Sequence, residues 1–139
     1  MKIRPALAMD YPELRRIYLV SRRQSFVWEN EHEMSLEDFD RDTADEHILL
    51  AEAESRIVGF ASLYLPEDFI HLLFVDPDFS GIGAGSKLLE AAVEKMNKPL
   101  TLKCVSANHK ALKFYEKNGW KKVVEEAGPS GKHWLMSYE

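Results

Sequence analysis

One cysteine, Cys104, stands in 139 residues, so neither an intramolecular disulfide nor a multi-cysteine zinc site is open to this chain. Its five histidines are scattered and form no H-E-x-x-H pair, so no metal site is expected. Basic residues are in the minority. Eighteen Lys and Arg against 23 Asp and Glu give a formal charge of −5. A chain that neutralised phosphates along a nucleic acid would show the opposite balance, and no such partner is expected. An acidic surface suits a cationic partner instead. No run approaches the roughly 18 apolar residues of a membrane span. Asp10, Glu13, Arg15 and Arg16 interrupt any apolar stretch of a secretory signal, so the expected location is cytoplasmic. Repeats, low-complexity tracts and Gly/Ser linkers are missing as well. What is present is an ordinary globular balance, 45% hydrophobic and 29% charged, in a length that fits one domain over 1–139.

Lys2 to Leu7 reads as a short strand. Asp10-Tyr11-Pro12-Glu13 supplies an N-cap acid, an early proline and a further acid, and Leu14, Ile17, Tyr18 and Ser21 follow at helical spacing. Phe26 to Met34 has no period and reads as a loop. Ser35-Leu36-Glu37-Asp38 resembles a capping box that opens a short helix with Leu36 and Phe39 on one side. His47 to Ala53, Arg56 to Leu65 and Phe69 to Val75 are β-rich runs joined by turns short enough to force antiparallel neighbours. Past Gly81 to Gly85, the residues Leu88, Leu89, Ala92, Val93 and Met96 keep the 3.6-residue period of an amphipathic helix. Leu100 to Val105 is a further strand. Asn108 then caps a helix with Ala111, Leu112 and Tyr115 on one face, and Asn118-Gly119 suits its left-handed stop. Trp120 to Glu126 and Lys132 to Tyr138 complete the order β-α-α-β-β-β-α-β-α-β-β.

Ser80-Gly81-Ile82-Gly83-Ala84-Gly85-Ser86 joins a strand to a helix. Glycines let backbone approach a ligand closely, and the first amides of a helix lack internal acceptors, so the stretch suits a pyrophosphate. A Walker A loop would need Gly-Lys-Ser/Thr at its end, where Gly85-Ser86-Lys87 stands. The dinucleotide fingerprint finds Gly81 and Gly83 but Ser86 in its third place, and it requires a parallel unit. On glycines alone, a tight turn with several positive φ angles explains the loop equally well.

The second cluster is more specific. Asn108, Ala111, Phe114, Tyr115, Lys117, Gly119 and Trp120 follow the strand valine Val105 with the spacing N-x-x-A-x-x-F-Y-x-K-x-G-[FW]. In this the sequence resembles the GNAT superfamily of acyl-CoA N-acyltransferases, whose glycine loop likewise lies upstream, behind a strand ending V-x-P (Val75, Pro77). The two motifs cover Ile70 to Trp120. One place departs: Ser80 stands where the family usually has Gln or Arg at the start of its loop. The resemblance implies an α/β domain with a mixed, largely antiparallel central sheet flanked by helices. It implies a bulge in the Phe69–Val75 strand that splays it from Leu100–Val105, with acetyl-CoA as co-substrate. Pantetheine would lie in that gap on the backbone of Leu73, Phe74 and Val75. The pyrophosphate would rest on Ser80, Gly81, Ile82, Gly83, Ala84, Gly85 and Ser86. Asn108 matches a position that contacts pantetheine. Lys117, with Lys87, Lys110 and Lys113, would meet the phosphates, although helix lysines more often simply face water.

Acyl transfer to an amine needs a deprotonated amine, a polarised carbonyl and a protonated leaving thiolate. Tyr115 is the candidate general acid, because a phenol with an ordinary pKa of about 10 keeps its proton near neutrality; the plainer reading is a helix tyrosine packed on the sheet. His71 is the candidate base, sharing strand parity with Leu73 and Val75, against the plainer reading of a structural histidine. Glu29, Glu31, His32 and Glu33 fall in the loop that borders the acceptor in this family, against the plainer reading of a solvated polar loop, and Phe26 and Trp28 beside them would either line an acceptor pocket or simply anchor the loop to the core. Nothing around Cys104 signals an activated thiolate. The expected function is acetyl transfer from acetyl-CoA to a primary amine, on a small molecule or a peptide, by direct attack in a ternary complex. Homodimers are common in such relatives. Ser80 motivates the alternative of an acyl-CoA-binding module without catalysis, and the glycine loop that of an ordinary nucleotide-binding domain.

Overall fold

Turns of two to four residues leave consecutive strands no way to pair except antiparallel. Accordingly β2 (His47–Ala53), β3 (Arg56–Tyr64) and β4 (Phe69–Val75) run antiparallel in succession, and β1 (Lys2–Pro5) adds antiparallel to β2. The computed structural model describes residues 1–25, 33–129 and 131–139. Among these, β5 (Leu100–Val105), β6 (Lys121–Gly128) and β7 (Gly131–Tyr138) complete one seven-stranded sheet in the order β1-β2-β3-β4-β5-β7-β6. Only the contact of β4 with β5 is parallel, so the sheet is mixed and largely antiparallel, as expected. The helices are α1 (Tyr11–Ser25), α2 (Asp38–Asp42), α3 (Ala84–Lys95) and α4 (His109–Lys117), and the element order is the one read from the sequence.

Helices cover both faces, so the inner strands are apolar in near-continuous runs. In β2, Ile48 and Leu50 face α1 and α2, while Leu49 and Ala51 face the other way. On the first face Leu14, Ile17 and Tyr18 of α1 and Phe39 of α2 close over Phe60. The rings of Tyr18, Phe39, Phe60 and Phe74 meet mostly edge to face, at centroid distances of 5.2 to 6.1 Å. On the second face Leu88, Leu89 and Ala92 of α3 and Leu112 of α4 pack on Val58, Leu63, Ile70, Leu100, Leu102 and Met136.

Two local expectations need correction. Asp10 does not cap α1: its carboxylate is held by Arg4, at 2.8 and 2.9 Å, and by the Leu7 amide, so it fastens β1 to the turn before the helix. Ser35 donates both its amide (3.0 Å) and its hydroxyl (3.1 Å) to the Asp38 carboxylate, so the bonds run one way rather than reciprocally, and α2 starts only at Asp38. Leu36 therefore precedes the helix and is exposed, whereas Phe39 is wholly buried.

The two ends of α4 set its position. Asn108 Oδ1 accepts from the Ala111 amide at 3.2 Å, the expected N-cap. At the other end the Gly119 amide donates to Glu116 O (3.1 Å) and the Trp120 amide to Tyr115 O (3.0 Å), a Schellman stop with Gly119 at φ +93°. The Trp120 ring then meets that of Tyr115 at 6.3 Å. Gly119→Ala forces a side chain into this left-handed position, with its Cβ 3.2 Å from Tyr138 Cε2. The expected loss is about 1–2 kcal/mol of stability, read as a fall in Tm of roughly 3–10 °C by differential scanning calorimetry.

Candidate active site

β4 and β5 touch only at Phe69↔Thr101 and Ile70↔Leu102, and beyond Ile70 the two strands part. The cause lies on the other side of β4. Ser62 of β3 stands opposite Leu72 and Leu63 opposite Ile70, which leaves His71 as an extra residue. An extra residue bends its strand and turns it away from its neighbour. The splay that the resemblance implied is therefore present, with His71 at its origin.

The gap is lined on the β4 side by backbone. The Asp76 amide donates to Val58 O at 2.8 Å, which makes Val58–Asp76 a hydrogen-bonded pair. By the alternation of an antiparallel ladder, Phe74 then bonds to Phe60, whereas Leu73 and Val75 turn their amides and carbonyls away from β3, toward the gap. Phe74 thus addresses β3 with its backbone and the α1 cluster with its ring, so it does not offer the gap the contact expected of it. The Val75 carbonyl accepts from Ser21 Oγ of α1 at 3.2 Å.

At the end of β4 the chain is pinned before it reaches the glycines. Asp76, wholly buried, accepts from Arg16 Nη2 at 2.7 Å and from the Asp78 amide at 3.0 Å. Gly81 and Gly83 follow at φ +82° and +88°, with open space where a Cβ would stand, so a left-handed backbone is what requires them. Gly85 answers to a different need. A Cβ there would come within 2.9 Å of Phe114 Cζ, so the glycine lets α3 close on α4. The first bond of α3 runs from the Lys87 amide to Gly83 O at 3.1 Å. The amides of Ala84, Gly85 and Ser86 therefore have no acceptor in the helix, and Gly83 has no side chain to cap them. Ser80 and Ile82 are exposed beside them. These groups fit a diphosphate.

Tyr115 is half-buried on the α4 face toward the sheet, its ring 5.4 Å from that of Phe114. Desolvation first, and the neighbouring Cys104 second, hold its phenol well above the usual value. Its hydroxyl has no hydrogen-bond partner among the described residues. Cys104 is buried and its thiol is pushed up to about 11, chiefly by desolvation. Asn108 spends its carbonyl oxygen on the cap of α4. Lys110, Lys113 and Lys117 are exposed, and Lys87 leans toward Glu90 at 3.8 Å.

His71 is placed differently from its expected parity. As the extra residue it leaves the alternation of Leu73 and Val75, whose side chains face α3. Its ring stacks on Phe69, and its Nδ1 lies 2.8 and 3.0 Å from the two carboxylate oxygens of Glu46. Ser62, wholly buried, donates its hydroxyl to the same carboxylate. Sequence reasoning found neither Glu46 nor Ser62, since no motif marks a carboxylate brought in from 25 residues away. Of the acceptor-side residues, Phe26, Trp28, Glu29, Glu31 and His32 lie outside the described residues, and Glu33 is exposed. Among the described residues no group of histidine, cysteine and acidic side chains is arranged to hold a metal ion. Two shallow surface concavities, one bordered by Leu89, Val93, Trp120 and Tyr138, the other by Arg15, Leu36, Glu37 and Asp40, include no residue of β4 or the glycine loop.

A sheet parted between two central strands, with an open helix N-terminus beside the parting, is the frame of an acetyltransferase of this type. The family model described as "Acetyltransferase (GNAT) family" matches residues 11–120, and the chain belongs to that family. Among solved structures it is similar to apo YjaB from Escherichia coli, with TM-score 0.81, 26% identity and coverage of 99% of this chain and 96% of that one. It is also similar in fold to the PaiA N-acetyltransferase of Thermoplasma acidophilum in complex with coenzyme A (TM-score 0.81, 21% identity, 99% and 98% covered). A third likeness of fold is to YncA, a putative acetyltransferase from Salmonella typhimurium with acetyl-CoA (TM-score 0.75, 17% identity, 100% and 93% covered). A search of curated proteins returns no significant match.

Proposed function

We propose that this chain transfers an acetyl group from acetyl-CoA to a primary amine by direct attack in a ternary complex. The observation that carries the reading is the conjunction at the end of β4: backbone turned into a gap that no strand fills, beside three helix amides without acceptors. Acetyl-CoA supplies the thioester. The Leu73 and Val75 amides would bind and polarise along the gap, and the Ala84, Gly85 and Ser86 amides would carry the diphosphate's charge. Asn108 has its side-chain amide nitrogen left for a further polar contact. Binding of coenzyme A by the Thermoplasma protein and of acetyl-CoA by the Salmonella protein, on the same fold, supports the choice of co-substrate.

The thiol chemistry supports direct attack. The chain's one cysteine is buried with its thiol held protonated, so it offers no thiolate to carry an acetyl group between two half-reactions. In this reading the acceptor amine meets the thioester itself. His71 would take its proton: with Nδ1–H donated to Glu46, the Nε2 lone pair is left to accept. Tyr115 would return a proton to the departing sulfur. Phe26, Trp28 and Glu29 are proposed to border the amine, on a small molecule or a peptide.

The direct test is release of CoA thiol from acetyl-CoA across a panel of amines. Amine-dependent release is expected; binding of acetyl-CoA without release for any amine would leave a binding module instead. Gly83→Val tests the loop, since a β-branched residue cannot hold φ +88°. Losing even one charge-assisted amide contact costs about 1.5–3 kcal/mol. The expected result is a KM for acetyl-CoA raised about 10- to 100-fold, with an unchanged circular dichroism spectrum.

A further inference from the structure

β6 ends the sheet, so the outer row of its backbone N–H and C=O groups has no strand partner among the described residues. Its residues from Lys121 to Ala127 are all exposed, including Val123 (58%) and Val124 (44%). Charge and a bulge commonly protect such an edge from pairing. Here, however, the charges are ordered. Lys121-Lys122 stand at one end, Glu125-Glu126 at the other, and the two valines lie between them. We propose that β6 pairs antiparallel with β6 of a second copy of this chain about a two-fold axis between Val123 and Val124, joining the two sheets into one.

In that register Lys122 faces Glu125 of the second copy, Lys121 faces its Glu126, and Val123 faces its Val124. The two-fold repeats each contact, which gives four Lys–Glu pairs around a centre of four valines. A register that set like charges opposite one another would be unfavourable.

The bulge makes this register possible. In a regular strand, residues 122 and 125 lie on opposite faces, and antiparallel pairing within a sheet sets only same-face residues opposite each other. In β6, Lys122 pairs with Met136 and Val124 with Leu135, so Val123 is an extra residue. The alternation shifts by one across it. Lys122 shares a face with Trp134, its Nζ 5.1 Å from that ring, and Glu125 stands directly opposite Trp134 in the ladder. Lys121 and Glu126, opposite Ser137 and His133, share the other face. Both charge pairs thus meet on matching faces, which they could not do without the extra valine.

Sedimentation velocity over a concentration series tests the proposal. The expected species is a dimer of twice 16.0 kDa. Lys122→Glu alone and Glu125→Lys alone each turn two attractive contacts into repulsive ones, and each should weaken dimerisation about ten-fold or more. The double variant should recover it, and an equimolar mixture of the two single variants should form the mixed dimer. These side chains are exposed, and an unchanged circular dichroism spectrum verifies that each variant is folded. A 16.0 kDa monomer at every concentration, a dimer indifferent to the single swaps, or single-swap losses that the double variant does not restore would each overturn the proposal.

Discussion

Tyr115→Phe is expected to lower kcat about 10²- to 10⁴-fold, a loss of roughly 3–5 kcal/mol of transition-state stabilisation, while the KM for acetyl-CoA changes little. The variant is clean because the ring is positioned by groups that phenylalanine keeps. The Schellman stop at Gly119 fixes the backbone of Tyr115, and Phe114 and Trp120 hold its ring from two sides. Only the hydroxyl is removed. Desolvation and nearby Cys104 keep the phenol above its usual range, so it stays protonated at any pH at which the enzyme works. The sign for pH follows: this tyrosine should contribute no alkaline fall in kcat below about pH 10, the ordinary phenol value. Steady-state thiol release at saturating acetyl-CoA measures both effects. Turnover within two- or three-fold of the unaltered protein would make Tyr115 a packing residue.

What was legible in the sequence is what neighbours in the chain decide among themselves. The Asn108 cap, the Gly119 stop and the apolar faces of α3 and α4 depend on residues within a turn or two, and each stands where its local signal put it. The antiparallel order of β2, β3 and β4 was legible for the same reason, since short turns leave one choice. Asp10 shows where local reading stops. Its position before a helix fits a cap, yet Arg4, once β1 lies beside β2, offers a stronger partner than a backbone amide does. The extra residue at His71 was out of reach too. A bulge is settled by which of two registers buries Ile70 and Leu72 better against opposite faces, and both neighbouring strands enter that choice. The glycines belong in between. Their density announced a special backbone, but only the structure separates Gly81 and Gly83, required by φ, from Gly85, required by Phe114.

Because the extra residue redirects His71, it also makes the second large prediction specific. His71→Ala is expected to reduce kcat about 10²- to 10³-fold, as for loss of a general base, with the KM for acetyl-CoA nearly unchanged and activity partly restored by added imidazole. Restoration by a free base is the readout that separates chemistry from architecture, since no solute repairs a distorted strand. Glu46→Gln should cost less, about ten-fold in kcat, because the imidazole keeps a hydrogen-bonding neighbour of the same shape but loses the carboxylate that fixes its Nδ1–H. Ser62→Ala probes one step further out, where the hydroxyl steadies only the Glu46 carboxylate, and its effect should be smaller still. A graded series, His71 above Glu46 above Ser62, is what a base held in place by Glu46, itself held by Ser62, requires. If His71→Ala turned over normally while Glu46→Gln lowered Tm, the pair would be a clasp between β4 and the start of β2. The amine would then have to lose its proton to water or to a residue of the 26–32 segment.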